Sequence, residues 1–312
     1  MDDLRLISFL PAATEMAFAL GLGDRLLGVS HECDYPAAAR TKPVVVKRTL
    51  PVETMSLAEI DAAVAARVGE GESLYEVDER LLERIAPTHI LTQALCQVCA
   101  PSGNEITRAL AALPVKPEVV WFTPSCLEDI FANIRELAAV TGTSERAEGI
   151  IAESKARLAR VAERTRDVAR RPRVTFLEWI DPYFCAGHWV PEMIELAGGE
   201  DALGRKGADS VRIAIDDIVR WAPEVLIVSP CGFGVDAAAE QTAQLLRQPG
   251  IADLPAVRDD RVFAVNADAY YARPGPRVVD GTELLAHLFH PERVEWRGDA
   301  GAFRQVRQPA HR

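Results

Sequence analysis

Residues 144–170 read SERAEGIIAESKARLARVAERTRDVAR, and this stretch separates two halves of the chain that resemble each other. It holds no proline and a single glycine near its start, so one uninterrupted helix is expected. The apolar residues fall near one stripe, and the other faces are charged; the stripe comprises Ala147, Ile150, Ile151, Leu158, Val161 and Val168. At 1.5 Å per residue the helix would span about 40 Å, enough to bridge two lobes. Pro172 ends it, and we predict a bridging helix at 144–171.

Short apolar runs alternate with helical patterns on both sides of this helix. The runs are Arg5–Phe9, Leu26–Val29, His89–Thr92 and Val119–Phe122 before it, and Arg173–Leu177, Val225–Val228 and Val262–Val265 after it. Continuous apolar strands separated by helices are typical of parallel sheets covered on both faces. We therefore predict an α/β fold of two Rossmann-like lobes with mainly parallel sheets, joined by the one long helix. The N-terminal lobe would cover residues 1–143 and the C-terminal lobe 172–290, followed by a tail at 291–312.

The two halves also match each other locally. Residues 82–91 (LERIAPTHIL) and 218–227 (IVRWAPEVLI) align at a constant offset. Each segment is interpreted as the end of a helix, an Ala-Pro break and a buried strand. One such match is weak evidence of duplication, but it fits two similar α/β lobes.

Composition and length exclude several classes of protein. A formal charge of −11 over 312 residues argues against a nucleic-acid binder and gives no attraction to an anionic membrane. No stretch reaches the roughly 20 apolar residues of a membrane span. Six cysteines in a chain of this length do not form a disulfide scaffold. We expect a monomer without a membrane span.

The N-terminal sequence gives a prediction of the cellular compartment. Leu4–Gly23 is apolar, but the chain begins Met1-Asp2-Asp3, and Pro11 and Glu15 interrupt the run. A secretory signal has a basic start and an unbroken apolar stretch of roughly 7–15 residues. Together with the cysteines in the strand-end loops, this pattern predicts a cytoplasmic protein. A periplasmic location is the alternative if a leader has been removed.

The loops that follow the predicted strands hold most of the unusual residues. Ligands of open α/β sheets bind outside the carboxyl ends of the strands. The loops concerned are Pro11–Glu15, Ser30–Pro36, Gln93–Cys99, Glu178–Trp189, Cys231–Gly234 and Asp268–Pro274. Aromatic walls with a few polar groups suit a cleft for a large, flat ligand. The alternative is that these aromatic residues only pack the lobes together.

Four separated motifs in and beside these loops resemble a known family. They are residues 7–15 (ISFLPAATE), Gly28–Ser30 with Asp34–Pro36, Gly187–Gly199, and residues 273–277 (RPGPR). The chain resembles the class III periplasmic-binding fold with a helical backbone, the substrate-binding proteins of ABC importers for cobalamin, iron-siderophores and haem. The resemblance covers about residues 4–290 and favours the cobalamin-binding branch. The inserted segment Lys47–Tyr75, with its helical Ser56–Val68, is followed by the pair Cys96 and Cys99. This combination is similar to a cobalamin-binding subgroup without an export signal.

The resemblance implies that the protein binds cobalamin or a related corrinoid between its lobes, for ABC-type uptake or intracellular corrinoid handling. The motifs and the strand-end positions together predict these ligand-binding residues: Pro11, Ala12, Ala13, His31, Tyr35, Gln93, Cys96, Trp179, Phe184, His188, Trp189, Phe233, Tyr270, Tyr271 and Arg273. The family also implies acidic residues that dock to an ABC permease. The nearest matches are Glu79 and Glu195.

A site for a metal, haem or a siderophore is the alternative function. His31, Cys33, Cys96 and Cys99 supply imidazole and thiolate, which suit zinc or an iron–sulfur cluster. The competing interpretation is that these cysteines are small buried apolar residues. We predict no enzyme, because the sequence lacks a dinucleotide loop, a Walker lysine loop, a nucleophile elbow and an H-E-x-x-H motif.

Overall fold

The computed structural model describes residues 3–70, 72–93, 110 and 113–308. The chain forms two compact units. Unit 1 holds Met1–Pro124 and Glu128–Ala152, and unit 2 holds Ser125–Leu127 and Glu153–Arg312. Each unit has a mainly parallel β-sheet with helices, which confirms the predicted fold class. Within the described ranges, no helix combines the length and the apolar character needed to cross a bilayer.

The described part of unit 1 contains a six-stranded sheet in the order β4-β3-β2-β1-β5-β6. Its strands are β1 Leu6–Ser8, β2 Leu26–Ser30, β3 Val44–Arg48, β4 Tyr75–Val77, β5 His89–Gln93 and β6 Glu118–Phe122. All neighbouring strands are parallel except the β3–β4 pair. Sequence analysis did not predict β3 and β4, which enclose the inserted helix. Val45, Val46 and Tyr75 from these two strands pack in the same core cluster as Ile7 of β1.

Unit 1 also carries helices α1 Pro11–Ala19, α2 Leu57–Glu70, α3 Glu79–Ile85 and α4 Leu127–Thr141, the last beginning in unit 2. Helix α1 begins with proline, whose missing N–H needs no partner at that position. Asp78 caps α3, because its carboxylate accepts a hydrogen bond from the Leu81 N–H at 2.9 Å. Helix α1 begins just after β1, at the carboxyl edge of the parallel strands, whereas α3 follows the antiparallel strand β4 and begins at the opposite edge.

The described part of unit 2 contains a five-stranded sheet in the order β13-β12-β11-β7-β8, with a separate parallel pair, β9 and β10. Its strands are β7 Val174–Ile180, β8 Tyr183–Cys185, β9 Gly187–His188, β10 Arg205–Lys206, β11 Val225–Val228, β12 Val262–Val265 and β13 Phe303–Gln305. The central strands β7, β11 and β12 are parallel, while β8 and β13 run antiparallel at the two edges. β13 lies in the region predicted as a tail, 291–312, so this region extends the sheet.

Unit 2 carries the helices α6 Val190–Leu196, α7 Ile215–Trp221, α8 Val235–Leu245, α9 Pro255–Arg258, α10 Ala267–Tyr270 and α11 Val278–Phe289. Every residue of β11 and β12 is buried, as expected of parallel strands covered on both faces.

The long helix predicted between the halves is α5, Ser144–Arg166, and the boundary between the two units falls within it, after Ala152. It ends at Arg166, before the predicted end at residue 171. The Arg293 guanidinium donates hydrogen bonds to the carbonyls of Arg164 and Asp167 at 3.3 and 3.1 Å. A cation is favourable at this end of a helix, where the last carbonyls lack helical partners.

The local match between the two halves has the same geometry in both units. Ala86 ends α3 with φ 48°, and Ala222 ends α7 with φ 51°. The carbonyl of Ala86 accepts a hydrogen bond from Arg5 Nε at 2.7 Å, and that of Ala222 accepts one from Arg173 Nε at 3.0 Å. In each unit the arginine directly precedes the first strand, so one helix–turn–strand arrangement occurs twice.

Candidate functional site

Three half-exposed aromatic rings meet at the carboxyl edge of the unit 2 sheet. Trp179 lies near the end of β7 and is paired with Phe184 of β8. Residues paired across antiparallel strands point to the same face. The ring of Phe233, in the loop after β11, lies with its centre 5.8 Å from that of Trp179. We call Trp179, Phe184 and Phe233 the aromatic strip; sequence analysis predicted all three.

Hydrogen bonds from its backbone N–H groups fix the loop that carries Phe233. The Cys231 N–H donates to the Glu178 carbonyl at 3.2 Å, and the Gly232 N–H donates to Asp268 Oδ1 at 3.1 Å. Gly232 has φ 82°, a conformation that other residues adopt only with strain. The backbone that carries Phe233 in the aromatic strip is therefore held in one conformation.

Arg212 extends the strip at Phe184, and sequence analysis missed it. Its guanidinium carbon lies 5.7 Å from the centre of the Phe184 ring, and the two residues form an isolated antiparallel bridge. Arg212 does not follow any strand predicted from the sequence. Only the pairing of its segment with β8 brings it to the aromatic residues.

Three other predicted aromatic residues are buried inside unit 2. Trp189, Tyr270 and Tyr271 are 5%, 8% and 2% exposed. Trp189 Nε1 donates to the Tyr271 carbonyl at 2.9 Å, and the Tyr271 hydroxyl donates to the Gly281 carbonyl at 3.2 Å. Burial raises the pKa of the Tyr271 phenol well above its usual range, so this group stays protonated. These rings support the strand-end loops from within the core.

Two further predicted ligand residues lie in unit 2: His188 has a strained backbone, and Arg273 lies in a turn. His188 has φ 52°, and its Nε2 lies 3.0 Å from Asp209 Oδ1. This contact with a carboxylate orients the imidazole ring. Arg273 is half-buried after α10, where its carbonyl accepts a hydrogen bond from the Gly275 N–H at 2.9 Å.

In unit 1 the predicted ligand residues are mostly enclosed. Pro11, Ala12 and Ala13 form the buried first turn of α1, and Gln93 is buried at the end of β5. Tyr35 is 48% exposed and presents an aromatic ring at the strand-end edge of this unit. Cys96 lies outside the described residues.

The predicted metal site is not supported. His31 Nε2 lies 3.3 Å from Arg48 Nε, which donates to it, and Glu32 Oε1 lies 3.7 Å from the same ring nitrogen. A guanidinium beside the imidazole repels a metal cation. The buried Cys33 thiol accepts a hydrogen bond from the Thr14 hydroxyl at 3.0 Å. Across the described ranges no three His, Cys, Asp or Glu side chains form a metal-binding group, and the predicted ligands Cys96 and Cys99 lie outside these ranges.

Each of the two predicted docking glutamates lies beside a surface cavity in its own unit. Glu79, the first residue of α3, is exposed and lies beside a surface cavity of about 620 Å³. Glu195 borders one of about 340 Å³, and its Oε2 lies 2.5 Å from Lys206 Nζ. The hydrogen bond to the Glu195 carboxylate raises the pKa of the Lys206 ammonium.

The chain is similar over most of its length to a curated relative. It is 25% identical over 294 residues to the vitamin B12-binding protein of Vibrio parahaemolyticus serotype O3:K6, covering 91% of this chain and 89% of that protein.

Two solved structures share its fold. The apo periplasmic heme-binding protein RhuT from Roseiflexus sp. RS-1 superposes with a TM-score of 0.70 at 23% identity, covering 92% of this chain and 98% of that one. The periplasmic vitamin B12-binding protein BtuF of Vibrio cholerae superposes with a TM-score of 0.64 at 23% identity, covering 92% and 96%.

A family model described as periplasmic binding protein matches residues 6–269. The predicted cytoplasmic location is therefore wrong, because the family and both structural neighbours are periplasmic. The described cysteines did not identify the compartment: Cys33 and Cys185 are buried whereas Cys231 is exposed, so the thiols share no common environment. The prediction that the chain is not an enzyme is confirmed, because the family comprises substrate-binding proteins of ABC transporters. The chain belongs to the periplasmic binding protein family.

Proposed function

We propose that the protein binds cobalamin or a related corrinoid and delivers it to an ABC importer. One observation carries the proposal: the aromatic strip, a row of half-exposed rings at the sheet edge where α/β proteins bind ligands. The relative named a vitamin B12-binding protein, similar over nine tenths of the chain, supports a corrinoid as the ligand.

The strip suits a large, flat, mostly apolar molecule. Each aromatic ring offers a rigid surface at little cost in conformational entropy, because only two side-chain torsions are fixed. Covering about 50 Å² of the Trp179 ring would contribute about 1 kcal/mol at roughly 25 cal/mol per Å². Loss of this ring should therefore lower affinity by about fivefold to tenfold.

Haem is the second candidate ligand. The Roseiflexus neighbour is a heme-binding protein. One observation favours this ligand: the phenol of Tyr35 is exposed, and a tyrosine oxygen can bind haem iron.

Calorimetric titration of the purified protein with cyanocobalamin, dicyanocobinamide, haemin and a ferric siderophore tests the ligand class. We expect one tightly bound corrinoid per chain. Tight binding of haemin or the siderophore, with no heat from either corrinoid, would contradict the corrinoid proposal.

Trp179→Leu tests the role of the strip, and Trp221→Leu is the matched control. Trp221 Nε1 donates to the carbonyl of Val174, which begins β7, so this ring lies at the opposite end of the strand from Trp179. We expect Trp179→Leu to weaken corrinoid binding by about fivefold to tenfold and the control to leave it unchanged. Equal affinities of the wild type and Trp179→Leu would argue against the strip.

Delivery to the importer requires a docking surface, and we assign it to Glu79 and Glu195. Both carboxylates are exposed, as contact with a cationic partner requires. Glu195 is already paired with Lys206, so docking to a guanidinium of the permease would exchange one cation for another. Such an exchange favours a weak, reversible contact over permanent association.

A further inference from the structure

Three hydrogen bonds hold the turn that runs from Pro230 to Phe233. Two of them join main-chain groups: the Phe233 N–H donates to the Pro230 carbonyl at 3.2 Å, and the Cys231 N–H donates to a carbonyl of β7 at 3.2 Å. The third is different, because the Gly232 N–H donates to a side-chain oxygen, Asp268 Oδ1, at 3.1 Å. The first two bonds can form with any side chain, whereas the third depends on which residue stands at position 268.

The bond to Asp268 acts on the most adaptable residue of this turn. Gly232 takes the third position of the turn with φ 82°, a conformation that favours glycine. Glycine also populates many other backbone conformations, so ordering it costs more conformational entropy than ordering another residue. A bond from its N–H to a fixed acceptor selects one of these conformations, and with it the direction in which the Phe233 ring projects.

The acceptor is fixed because Asp268 lies in the short helix α10. The side chain of Asn266 caps this helix by accepting a hydrogen bond from one of its backbone N–H groups at 3.0 Å. The buried ring of Tyr270 packs edge-on against the rings of Tyr271 and Trp296, whose centres lie 6.2 and 6.1 Å away. Helix α10 is thus anchored in unit 2, and Asp268 links it to the loop of the aromatic strip.

We propose that Asp268 is a positioning residue that holds the Phe233 ring of the aromatic strip in place for ligand binding. The inference rests on the proposed function, in which the strip is the contact surface for a corrinoid. Phe233 extends that surface beside Trp179, with 5.8 Å between the ring centres. If the turn samples other conformations, the apparent affinity falls in proportion to the time that the ring spends out of place. Asp268 acts through the backbone of Gly232 and does not itself contact the ligand.

The test is a double-mutant cycle on the affinity for cyanocobalamin, measured by calorimetric titration. It compares the wild type with Asp268→Ala, Phe233→Ala and the double variant. Asp268→Asn keeps an Oδ1 acceptor without the charge, so it separates the hydrogen bond from the other interactions of the carboxylate. Asp259→Ala is the matched control, because Asp259 is exposed and precedes β12, whereas Asp268 follows this strand.

We expect Asp268→Ala to weaken cyanocobalamin binding about fivefold, which corresponds to the net contribution of one hydrogen bond to the conformation of the turn. Asp268→Asn should recover most of this loss, and Asp259→Ala should leave the affinity unchanged. In the Phe233→Ala background, Asp268→Ala should cause no further loss, because the ring through which it acts is already absent.

Hydrogen exchange of the backbone amides tests the same contact without ligand. Asp268→Ala should speed exchange of the Gly232 amide about fivefold or more, and Asp268→Asn should restore the slower rate. Exchange at the amides of β12 should stay unchanged, which shows that the variant is folded. Equal exchange rates at Gly232 in the wild type and Asp268→Ala would contradict the inference.

Two binding results would overturn the inference and leave the proposed function standing. One is wild-type affinity of Asp268→Ala together with a clear loss in Phe233→Ala. The other is an equal loss from Asp268→Ala in the presence and absence of the Phe233 ring, which would mean that Asp268 acts on the ligand by another route. Absence of cyanocobalamin binding by the wild type would overturn the proposed function and this inference with it.

Discussion

The carboxyl group of Asp201 should make the stability of unit 2 depend on pH. Its Oδ1 accepts hydrogen bonds from the N–H groups of Leu203 and Gly204 at 2.9 and 3.1 Å. Its Oδ2 is shielded from solvent and has no hydrogen-bond partner among the described residues. Burial raises the pKa of this carboxyl from 3.8 to about 6, and the backbone hydrogen bonds offset that rise only in part.

The sign follows from the higher pKa in the folded state. The native protein holds the Asp201 proton more tightly than the unfolded chain does, so its contribution to stability is full below pH 3.8 and is lost as the pH rises through about 6. A tenfold difference in proton affinity corresponds to about 1.4 kcal/mol. Ionised Asp201 therefore costs about 3 kcal/mol relative to the protonated form, and about 2 kcal/mol of this develops between about pH 4.5 and 7.5.

Asp201→Asn isolates this effect, because asparagine keeps the Oδ1 acceptor and cannot ionise. Urea unfolding at fixed ionic strength, at four pH values from 4.5 to 7.5, gives the free energy of unfolding of both proteins. Titration of all other groups cancels in the difference between them. We expect that difference to shift in favour of the variant by about 2 kcal/mol over this range. A difference that stays constant within about 0.5 kcal/mol would refute the reasoning.

Two further predictions concern the repeated turn and the docking surface. Ala86→Gly and Ala222→Gly should each raise the free energy of unfolding by about 0.5–1 kcal/mol, because φ values of 48° and 51° strain alanine but not glycine. The control Ala197→Gly, at a helix end with φ −71°, should lower the free energy of unfolding. Destabilisation by all three substitutions would contradict this explanation. Glu195→Gln should leave corrinoid affinity unchanged but reduce uptake of labelled cobalamin by cells that depend on this protein, and unimpaired uptake would exclude docking through Glu195.

Local sequence pattern predicted the framework of the fold. The apolar stripe of residues 144–170 indicated the long helix α5, and the mainly apolar runs became the central strands β7, β11 and β12. These features were predictable because helix periodicity and the apolar character of buried parallel strands are visible in residues that are close together in the sequence. Strand β3 of the inserted segment and the edge strands β4 and β13 were missed. β4 and β13 have only three residues each, which give too short a pattern to identify.

The sequence alone predicted that Trp179, Phe184 and Phe233 lie near the carboxyl ends of strands, because the order of strands fixes which residues follow them. The structure places Trp179 and Phe184 within the paired strands β7 and β8 and Phe233 in a loop. The tertiary structure decided which predicted aromatic residues stay accessible: it buried Trp189 and Tyr271 and left the strip half-exposed. It also placed Arg212 over Phe184 and Arg48 beside His31. Such contacts join segments 17 to 28 residues apart in the chain. They depend on strand pairing and side-chain packing, which local periodicity does not encode.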